Sequence, residues 1–259
     1  MHSLLPDIYA GVNIMSTGFL LGNISDISAF ATGFLLPVDG AVYANIFGAD
    51  SSPARNLING RPDATVIGSP VVNDRSVTLT SMESYIDTGV KQTGEMTIIT
   101  LGQPAGTTSN FIHWSNYGSP VTNGGSGLTS IDFAQQSNAT GNPTLSLGYT
   151  LDNFATRLSL SYGITAGADT VKRRAIASVF SQSAMTTRLR DLVNKKSQQN
   201  AIPANGVLLQ AGNILLGSHY TAATASKGDL YFAAIYPRAL TDAEIDAVYV
   251  PIKAFFGLQ

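Results

Sequence analysis

The sequence contains no cysteine and few charged residues. Without cysteine, neither a disulfide nor a thiolate metal site can form. Only 12% of the 259 residues are charged, against roughly 25% in a typical soluble domain, whereas 44% are hydrophobic. The net charge of −2 excludes strong global attraction to nucleic acid or to a membrane surface. A polar but sparsely charged surface is typical of a β-protein, and also of a subunit that hides surface in an assembly.

Long apolar runs and an early basic segment are lacking as well. No apolar run approaches the roughly 18 residues of a membrane span, and the first Lys or Arg is Arg55. Because a secretory leader begins with a basic segment, we expect neither a signal peptide nor a transmembrane helix. A protein that is packaged in a virion and released when the cell lyses would reach the outside without such a leader.

Residues 1–36 differ from the remainder of the chain. They contain no Lys or Arg, and the sequence Thr-Gly-Phe-Leu-Leu occurs in them twice, at 17–21 and 32–36. An apolar segment with so little charge would tend to associate with other apolar surfaces if it were exposed. Two interpretations are open: an additional strand pair packed on the main domain, or an arm that docks onto partner subunits. We predict an apolar docking or oligomerisation arm over 1–36 and one domain over 37–259.

Short strand-like segments follow one another from Pro37 onward, separated by Gly, Asn and Pro turns. Apolar and polar residues alternate most clearly at 145–149 and 158–162, and 151–154 between them predicts a hairpin connection. About a dozen evenly spaced short strands indicate a sandwich or jelly roll. The predicted strands are 76–80, 84–88, 96–101, 111–117, 128–133, 144–150, 156–162, 175–180, 186–193, 207–210, 214–216 and 230–236.

One short helix is predicted near the C-terminus. Pro237 cannot donate to a sheet ladder, so the last strand should stop there. Thr241 and Glu244 have the spacing of a capping box, and apolar residues at helical spacing follow over 245–252. We expect Pro251 to end or kink this helix.

Three segments resemble the concanavalin A-like lectin/glucanase superfamily, in particular the laminin-G-like jelly rolls found in phage tail and virion proteins. Asp50-Ser51-Ser52 with Asn56 and Gly60 resembles an early loop, 84–89 the strand after it, and 228–245 the closing strand, turn and helix. The closing segment is the most specific, because it joins strand, turn, cap and helix in one register. The resemblance implies an all-β concanavalin A-like jelly-roll β-sandwich with one short C-terminal helix.

Aromatic and amide side chains near the only Trp suggest sugar binding. Sugars stack on aromatic rings, while amides and carboxylates bind their hydroxyls. In the alternative interpretation, Ile112 and Trp114 point inward and 111–118 is a packed core strand. The candidate carbohydrate-binding residues are His113, Trp114, Asn116, Tyr117, His219 and Tyr220.

Seven of the fifteen basic residues lie within 172–196, together with a single acid, Asp191. On adjacent strands they would form a positive patch that could bind phosphate, an acidic polysaccharide or an acidic subunit. The alternative is a solvated outer sheet face. Phe180 is the only aromatic residue within 172–196, so the charges lack repeated aromatic interleaving and we expect no nucleic-acid binding. The candidate patch comprises Lys172, Arg173, Arg174, Arg188 and Arg190, and Lys195 and Lys196 complete the seven.

Catalytic and metal-binding motifs are not found. The glucanases of the superfamily place acids as E-x-D-x-x-E on one strand, whereas Glu83 and Asp87 have no third acid beside them. There is neither a Gly-x-Ser-x-Gly elbow nor an Asp-rich calcium loop. We therefore predict no enzymatic activity, no metal and no cofactor.

These observations together predict a phage virion protein: a tail, fibre or decoration subunit that displays a lectin-like domain for assembly, host-glycan attachment or both. The predicted partners are other virion subunits, which residues 1–36 would contact, and a cell-surface polysaccharide. We also expect the chain to form a homo-oligomer, taken as a trimer. Membrane insertion is not expected. A secreted or cell-surface carbohydrate-binding domain is the alternative, with an extracellular location, and a polysaccharide-degrading enzyme is the third interpretation.

Overall fold

A computed structural model describes residues 36–123, 129–130, 132–138, 143–151, 157–165, 171–222 and 224–258. The chain divides into two compact units: residues 40–242 form one, and the described residues 243–258 belong to the other. The unit of 40–242 is built from two antiparallel sheets. The prediction of an all-β sandwich is therefore confirmed.

Fifteen strands in the described residues form the two sheets. The strands are β1 (Tyr43–Ile46), β2 (Thr65–Ile67), β3 (Val71–Val72), β4 (Val77–Thr80), β5 (Tyr85–Lys91), β6 (Glu95–Pro104), β7 (Phe111–Ser115), β8 (Phe133–Ser137), β9 (Thr144–Thr150), β10 (Arg157–Gly163), β11 (Arg174–Ser181), β12 (Thr186–Asp191), β13 (Lys196–Ala201), β14 (Asn213–Leu216) and β15 (Lys227–Tyr236). Sheet A has the order β13-β12-β11-β6-β15-β4-β3, with β1 also paired to β15, and sheet B has the order β10-β9-β8-β7-β14-β5-β2.

The hydrophobic core of this unit lies between the sheets. In β9 the residues Leu145, Leu147 and Tyr149 are buried, as period-two alternation requires when one face of a strand meets the other sheet. In β12 the buried positions Thr187 and Leu189 alternate with half-buried arginines. Segment 186–193 is thus a strand over most of its length, as predicted. The largest fully buried side chains include Trp114, Tyr43, Tyr149, Tyr236, Phe47, Phe111 and Phe180.

Some predicted strand positions are wrong. The strand predicted at 128–133 lies instead at 133–137, and 207–210 contributes only an isolated bridge between Leu151 and Leu208. Four strands were not predicted: β1, β2, β3 and β13. Strands β2 and β3 have only three and two residues, and the only apolar residue of β13 is Ala201. The pairing of β9 with β10 is confirmed by a register that places Leu145 opposite Tyr162, whereas most of its predicted turn lies outside the described residues.

The C-terminal helix, α1 (Asp242–Phe256), begins directly after Thr241, as predicted. Its buried residues recur at helical spacing and end with Ile252 and Phe256. Of the two expectations for Pro251, that it ends the helix is wrong, because burial of apolar residues beyond it offsets the hydrogen bond that proline cannot donate, and that it kinks the helix stays a prediction. The helix ends in a Schellman motif: Gly257 has φ of +62°, and the N–H of Leu258 donates to the carbonyl of Lys253 at 3.0 Å. Of the predicted arm 1–36, all but Leu36 lies outside the described residues.

Candidate functional site

Trp114 and His113 lie in the core. A β-bulge between Ile112 and Trp114 allows both side chains to reach sheet A. The indole Nε1 of Trp114 donates to Oγ of Ser178 at 3.0 Å, and a 3.1 Å hydrogen bond joins His113 Nδ1 to the Thr100 hydroxyl. Both side chains are fully buried, so neither can stack on a sugar, and the prediction that they bind carbohydrate is wrong. The alternative of a packed core strand is confirmed for Trp114.

His219 lies in a small aromatic cluster beside β7. Its ring centroid is 4.9 Å from that of Tyr117 and 5.6 Å from that of Phe133, and a 2.7 Å hydrogen bond joins its Nδ1 to the Ser115 hydroxyl. The N–H of Tyr117 also donates to that hydroxyl. His219 and Ser115 are at most 2% exposed, so this serine–histidine contact holds a loop in place and has no route to a substrate.

Tyr117 and Tyr220 remain half-buried, and the Tyr220 hydroxyl donates to the Asn213 carbonyl at 3.0 Å. The N–H of Tyr220 donates to the carbonyl of Tyr117, which joins the two loops that carry these rings. The structure thus brings Tyr117, His219 and Tyr220 together, whereas Trp114 and His113 point into the core. Only the two tyrosines of this group retain partly exposed rings.

Asn116 belongs to a buried polar network rather than to a surface. Its amide donates to Oε1 of Gln92, whose own Nε2 donates to Oδ2 of Asp132 at 2.6 Å. Burial raises the pKa of Asp132 to about 7, although hydrogen bonds from Gln92 and Thr150 lower it in part. Since Asn116 is fully buried, the prediction that its amide binds sugar hydroxyls is wrong.

The five arginines and lysines of the predicted basic patch do not form one surface. Arg174 points inward, where its Nη1 lies 2.6 Å from Oδ2 of Asp191, and both side chains are almost completely buried. Asp191 also accepts hydrogen bonds from the amide N–H groups of Val193 and Asn194 and from the Asn194 side chain. This ion pair fixes the turn between β12 and β13.

The remaining members of the predicted patch face different partners. Arg188 forms an ion pair with Asp242 and donates to the carbonyl of Leu240, and Arg190 donates to the carbonyl of Asp242. The guanidinium of Arg173 lies 4.8 Å from the ring centroid of Tyr231, a cation–π contact. Lys172 is exposed and lines a cleft.

That cleft, named here the β10–β13 cleft, has a volume of about 300 Å³. It lies where the edge strand of sheet B, β10, meets the edge strand of sheet A, β13. Lys172 and Lys196 are exposed at its rim, and the ammonium of Lys196 lies 5.7 Å from the ring centroid of Tyr162. The described residues that line the cleft include no Asp or Glu; they are Gly163, Ile164, Thr165, Lys172, Arg174, Asn194 and Lys196.

Sequence reasoning identified Lys172, Arg174 and Lys196 as part of a basic run but missed Asn194 and Thr165. The strand predicted at 186–193 overlaps the segment between Asp191 and Lys196, and this polar segment could have been assigned to a hairpin turn instead. In the structure it is a turn, in which Lys195 adopts a φ of +54°. The positions on the β10 side belong to another sheet, and a linear pattern does not show which sheet edges meet.

The described residues form neither a metal centre nor a membrane-spanning helix. Within the described part of the chain, no group of three or more His, Asp or Glu side chains converges closely enough to hold a metal ion. Among the helical residues that the structure describes, none belongs to a helix of sufficient length and hydropathy to cross a bilayer.

The fold is shared with known binding domains and with an enzyme. The binding domain of botulinum neurotoxin serotype D aligns over 81% of this chain and 51% of its own, with a TM-score of 0.58 and 10% identity. A Trypanosoma rangeli sialidase solved with sialic acid aligns over 85% of this chain and 34% of its own (TM-score 0.59, 10% identity). The binding domain of Paraclostridial Mosquitocidal Protein 1 aligns over 82% and 52% (TM-score 0.58, 14% identity).

These similarities define the class of fold, a lectin-like jelly-roll β-sandwich, as the sequence resemblance implied. The aligned part spans about half the length of the toxin binding domains and a third of the sialidase. No protein-family model matches the sequence, and no curated protein sequence is recognisably similar to it.

Proposed function

We propose that this chain is a non-enzymatic glycan-binding subunit of a bacteriophage virion, a tail, fibre or decoration protein, and that glycan enters the β10–β13 cleft. The observation that carries the proposal is the cleft itself. It is open to solvent at the junction of the two sheets, and its described lining combines cations, an amide and a hydroxyl. Such a set donates and accepts hydrogen bonds in the way that sugar recognition requires.

Binding without catalysis is supported by the chemistry of the lining. Glycoside hydrolysis ordinarily uses two carboxyl groups that flank the scissile bond. The described residues of the β10–β13 cleft supply none, and Asp191, which accepts a hydrogen bond from the lining residue Asn194, is paired with Arg174. Bound sugar would therefore meet hydrogen-bond partners there but, among the described residues, no acid and base pair.

The virion setting is supported by the sequence. Residues 1–36 are apolar and carry no Lys or Arg, which suits a segment that docks onto neighbouring subunits in a homo-oligomer, taken as a trimer. The absence of cysteine agrees with a protein assembled inside a reducing cell and released by lysis. A secreted carbohydrate-binding domain remains the second proposal, and the same cleft would serve it.

A glycan array probed with the full-length protein tests the binding proposal. We expect several saccharides to bind, and a bound saccharide to be recovered uncleaved after prolonged incubation. An array blank at high protein concentration would overturn glycan binding, and released shorter products would overturn the non-enzymatic assignment.

The docking proposal is tested separately, by comparing the full-length chain with a chain that begins at residue 37. Light scattering should give a homo-oligomer for the full-length protein and a smaller species for the shortened one. A full-length protein that is monomeric and unaffected by the truncation would contradict the arm.

A further inference from the structure

We infer that Asn59 is a site of spontaneous deamidation, at which the backbone nitrogen of Gly60 closes a succinimide ring and water then yields aspartate and isoaspartate. The inference concerns the loop between β1 and β2 and does not depend on glycan binding. The sequence contains Asn-Gly three times, at 59–60, 123–124 and 205–206. Because glycine has no side chain to shield its nitrogen, each pair is chemically competent, and the fold decides which of them reacts.

The reaction joins a backbone nitrogen to the side chain that precedes it. The Gly60 nitrogen, after losing its proton, attacks Cγ of Asn59, and the bond from Cγ to Nδ2 breaks so that ammonia leaves with that proton. Water, the only co-reactant, opens the ring at either carbonyl and leaves one carboxylate in place of the amide. No electrons are transferred. A reactive pair therefore combines an unrestrained asparagine amide with a backbone N–H that no acceptor holds.

Asn59 and Gly60 meet both conditions. They lie exposed in a turn that the N–H of Arg61 closes by donating to the carbonyl of Ile58 at 3.1 Å. Within the described residues, neither the Asn59 amide nor the Gly60 N–H has a hydrogen-bond partner. A Cβ atom added to Gly60 would meet nothing within 4 Å beyond its chain neighbours, so the backbone has room to rotate toward the asparagine side chain.

The asparagine of the second pair is held by its side chain. Nδ2 of Asn123 donates to the Leu208 carbonyl at 3.1 Å, and its Oδ1 accepts the Gln210 N–H at 2.5 Å. Gly124 lies outside the described residues. Since both ends of the Asn123 amide are bound, its Cγ is not free to approach the next backbone nitrogen.

The restraint on the third pair falls on its glycine. The Gly206 N–H donates to the Pro203 carbonyl at 2.8 Å, and the Gly206 carbonyl accepts Nε2 of Gln182 at 3.0 Å. A Cβ atom on Gly206 would lie 3.0 Å from Ile202, so packing also opposes rotation of this segment. Although Asn205 is exposed, attack by the Gly206 nitrogen requires these contacts to break first.

Deamidation of Asn59 should add negative charge without loosening the fold. The loop is anchored by Asn56, whose Oδ1 accepts the Ala44 N–H at 3.2 Å and whose Nδ2 donates to the Pro62 carbonyl at 3.1 Å. These contacts do not involve Asn59 or Gly60. The conversion should therefore lower the isoelectric point and leave the free energy of unfolding unchanged.

The test incubates the full-length protein at pH 7.4 and pH 9, folded and in concentrated guanidinium chloride, and follows each Asn-Gly pair by peptide mapping with mass spectrometry. In the folded protein we expect Asn59 to convert at least about fivefold faster than Asn123 or Asn205, because those pairs must first give up hydrogen bonds. The rate should rise with pH, since the attacking nitrogen must lose a proton. In the denaturant the three pairs should convert at similar rates.

The variant Asn59→Gln provides the control, because glutamine would have to close a larger ring that forms more slowly. On incubation it should keep its isoelectric point, while the unmodified protein gains acidic forms. Equal conversion of the three pairs in the folded protein, or faster conversion at Asn123 or Asn205, would overturn the inference. A lead of Asn59 that persists in the denaturant would overturn it as well, since local sequence and not the fold would then set the rate.

Discussion

The indole N–H of Trp114, in sheet B, donates a 3.0 Å hydrogen bond to the hydroxyl of Ser178, in sheet A, across the core of the sandwich. The indole ring also contacts Phe180 edge to face, with centroids 5.8 Å apart. The only tryptophan of the chain therefore joins the two sheets.

Trp114 should report on the core and not on a ligand. Because the side chain is fully buried, its fluorescence should be blue-shifted and protected from acrylamide in the folded protein. Addition of a saccharide that binds should leave this emission unchanged. A red-shifted, readily quenched emission from the native protein would contradict the buried position.

The hydrogen bond itself can be assessed by mutation. Trp114→Phe should lower the free energy of unfolding by about 1–3 kcal/mol, since it removes both ring volume and a buried hydrogen bond. Ser178→Ala serves as the matched partner variant. In urea unfolding, the double variant should cost less than the sum of the two single variants, and simple additivity would argue against the contact.

Asp132 should make the protein less stable as the pH rises. Burial raises its pKa to about 7 in the folded state, from an ordinary value of 3.8. Between these values the folded protein holds a proton that the unfolded chain has released, so the free energy of unfolding falls by up to about 1.4 kcal/mol per pH unit. Relative to the unmodified protein, Asp132→Asn should gain stability from pH 4 to pH 7 and show no further gain above pH 7.

His113 should have the opposite effect. Burial lowers its pKa to about 3 from 6.5, and the positive charge of Arg174 contributes to the lowering. Between these values the unfolded chain binds a proton that the folded protein does not, so stability rises with pH. His113→Gln should therefore lose stability relative to the unmodified protein from pH 3 to pH 6.5. Chemical unfolding at several pH values gives the difference in unfolding free energy between each variant and the unmodified protein. Either assignment would be contradicted if that difference changed with pH in the opposite direction.

The Arg174–Asp191 ion pair should be strongly coupled. Arg174→Met leaves the Asp191 carboxylate buried without its counter-charge and should cost about 3–5 kcal/mol. Asp191→Asn keeps an acceptor for the turn amides but removes the negative charge. The double variant should be clearly more stable than the sum of the two losses predicts, as measured by urea unfolding. Independent losses would show that the two charges do not stabilise one another.

Arg188 should contribute more to the free energy of unfolding than Asp242, the residue with which it forms an ion pair. The side chain of Asp242 is 59% exposed, so Asp242→Asn should cost less than about 1 kcal/mol. Arg188→Ala also removes the hydrogen bond to the Leu240 carbonyl and should cost more than Asp242→Asn. Equal losses of unfolding free energy would indicate that the hydrogen bond to the backbone contributes nothing.

Local patterns were sufficient for much of the fold. The alternation in β9 and β10 predicted their pairing, and Pro237 followed by Thr241 predicted where the last strand stops and α1 begins. These features depend on neighbouring residues, whose periodicity is fixed by strand and helix geometry. The short strands β2 and β3 were missed because three or two residues carry no measurable period.

The amino-acid sequence by itself determined the all-β class, the two strands of the clearest hairpin, the terminal helix and the presence of a basic run at 172–196. Tertiary structure alone decided that Trp114 and Asn116 are buried and that Arg174 is neutralised by Asp191. It also decided that Lys172 and Lys196 share a cleft. The physical reason is that burial and charge pairing depend on which sheet edges meet, and the residues concerned belong to strands far apart in the chain.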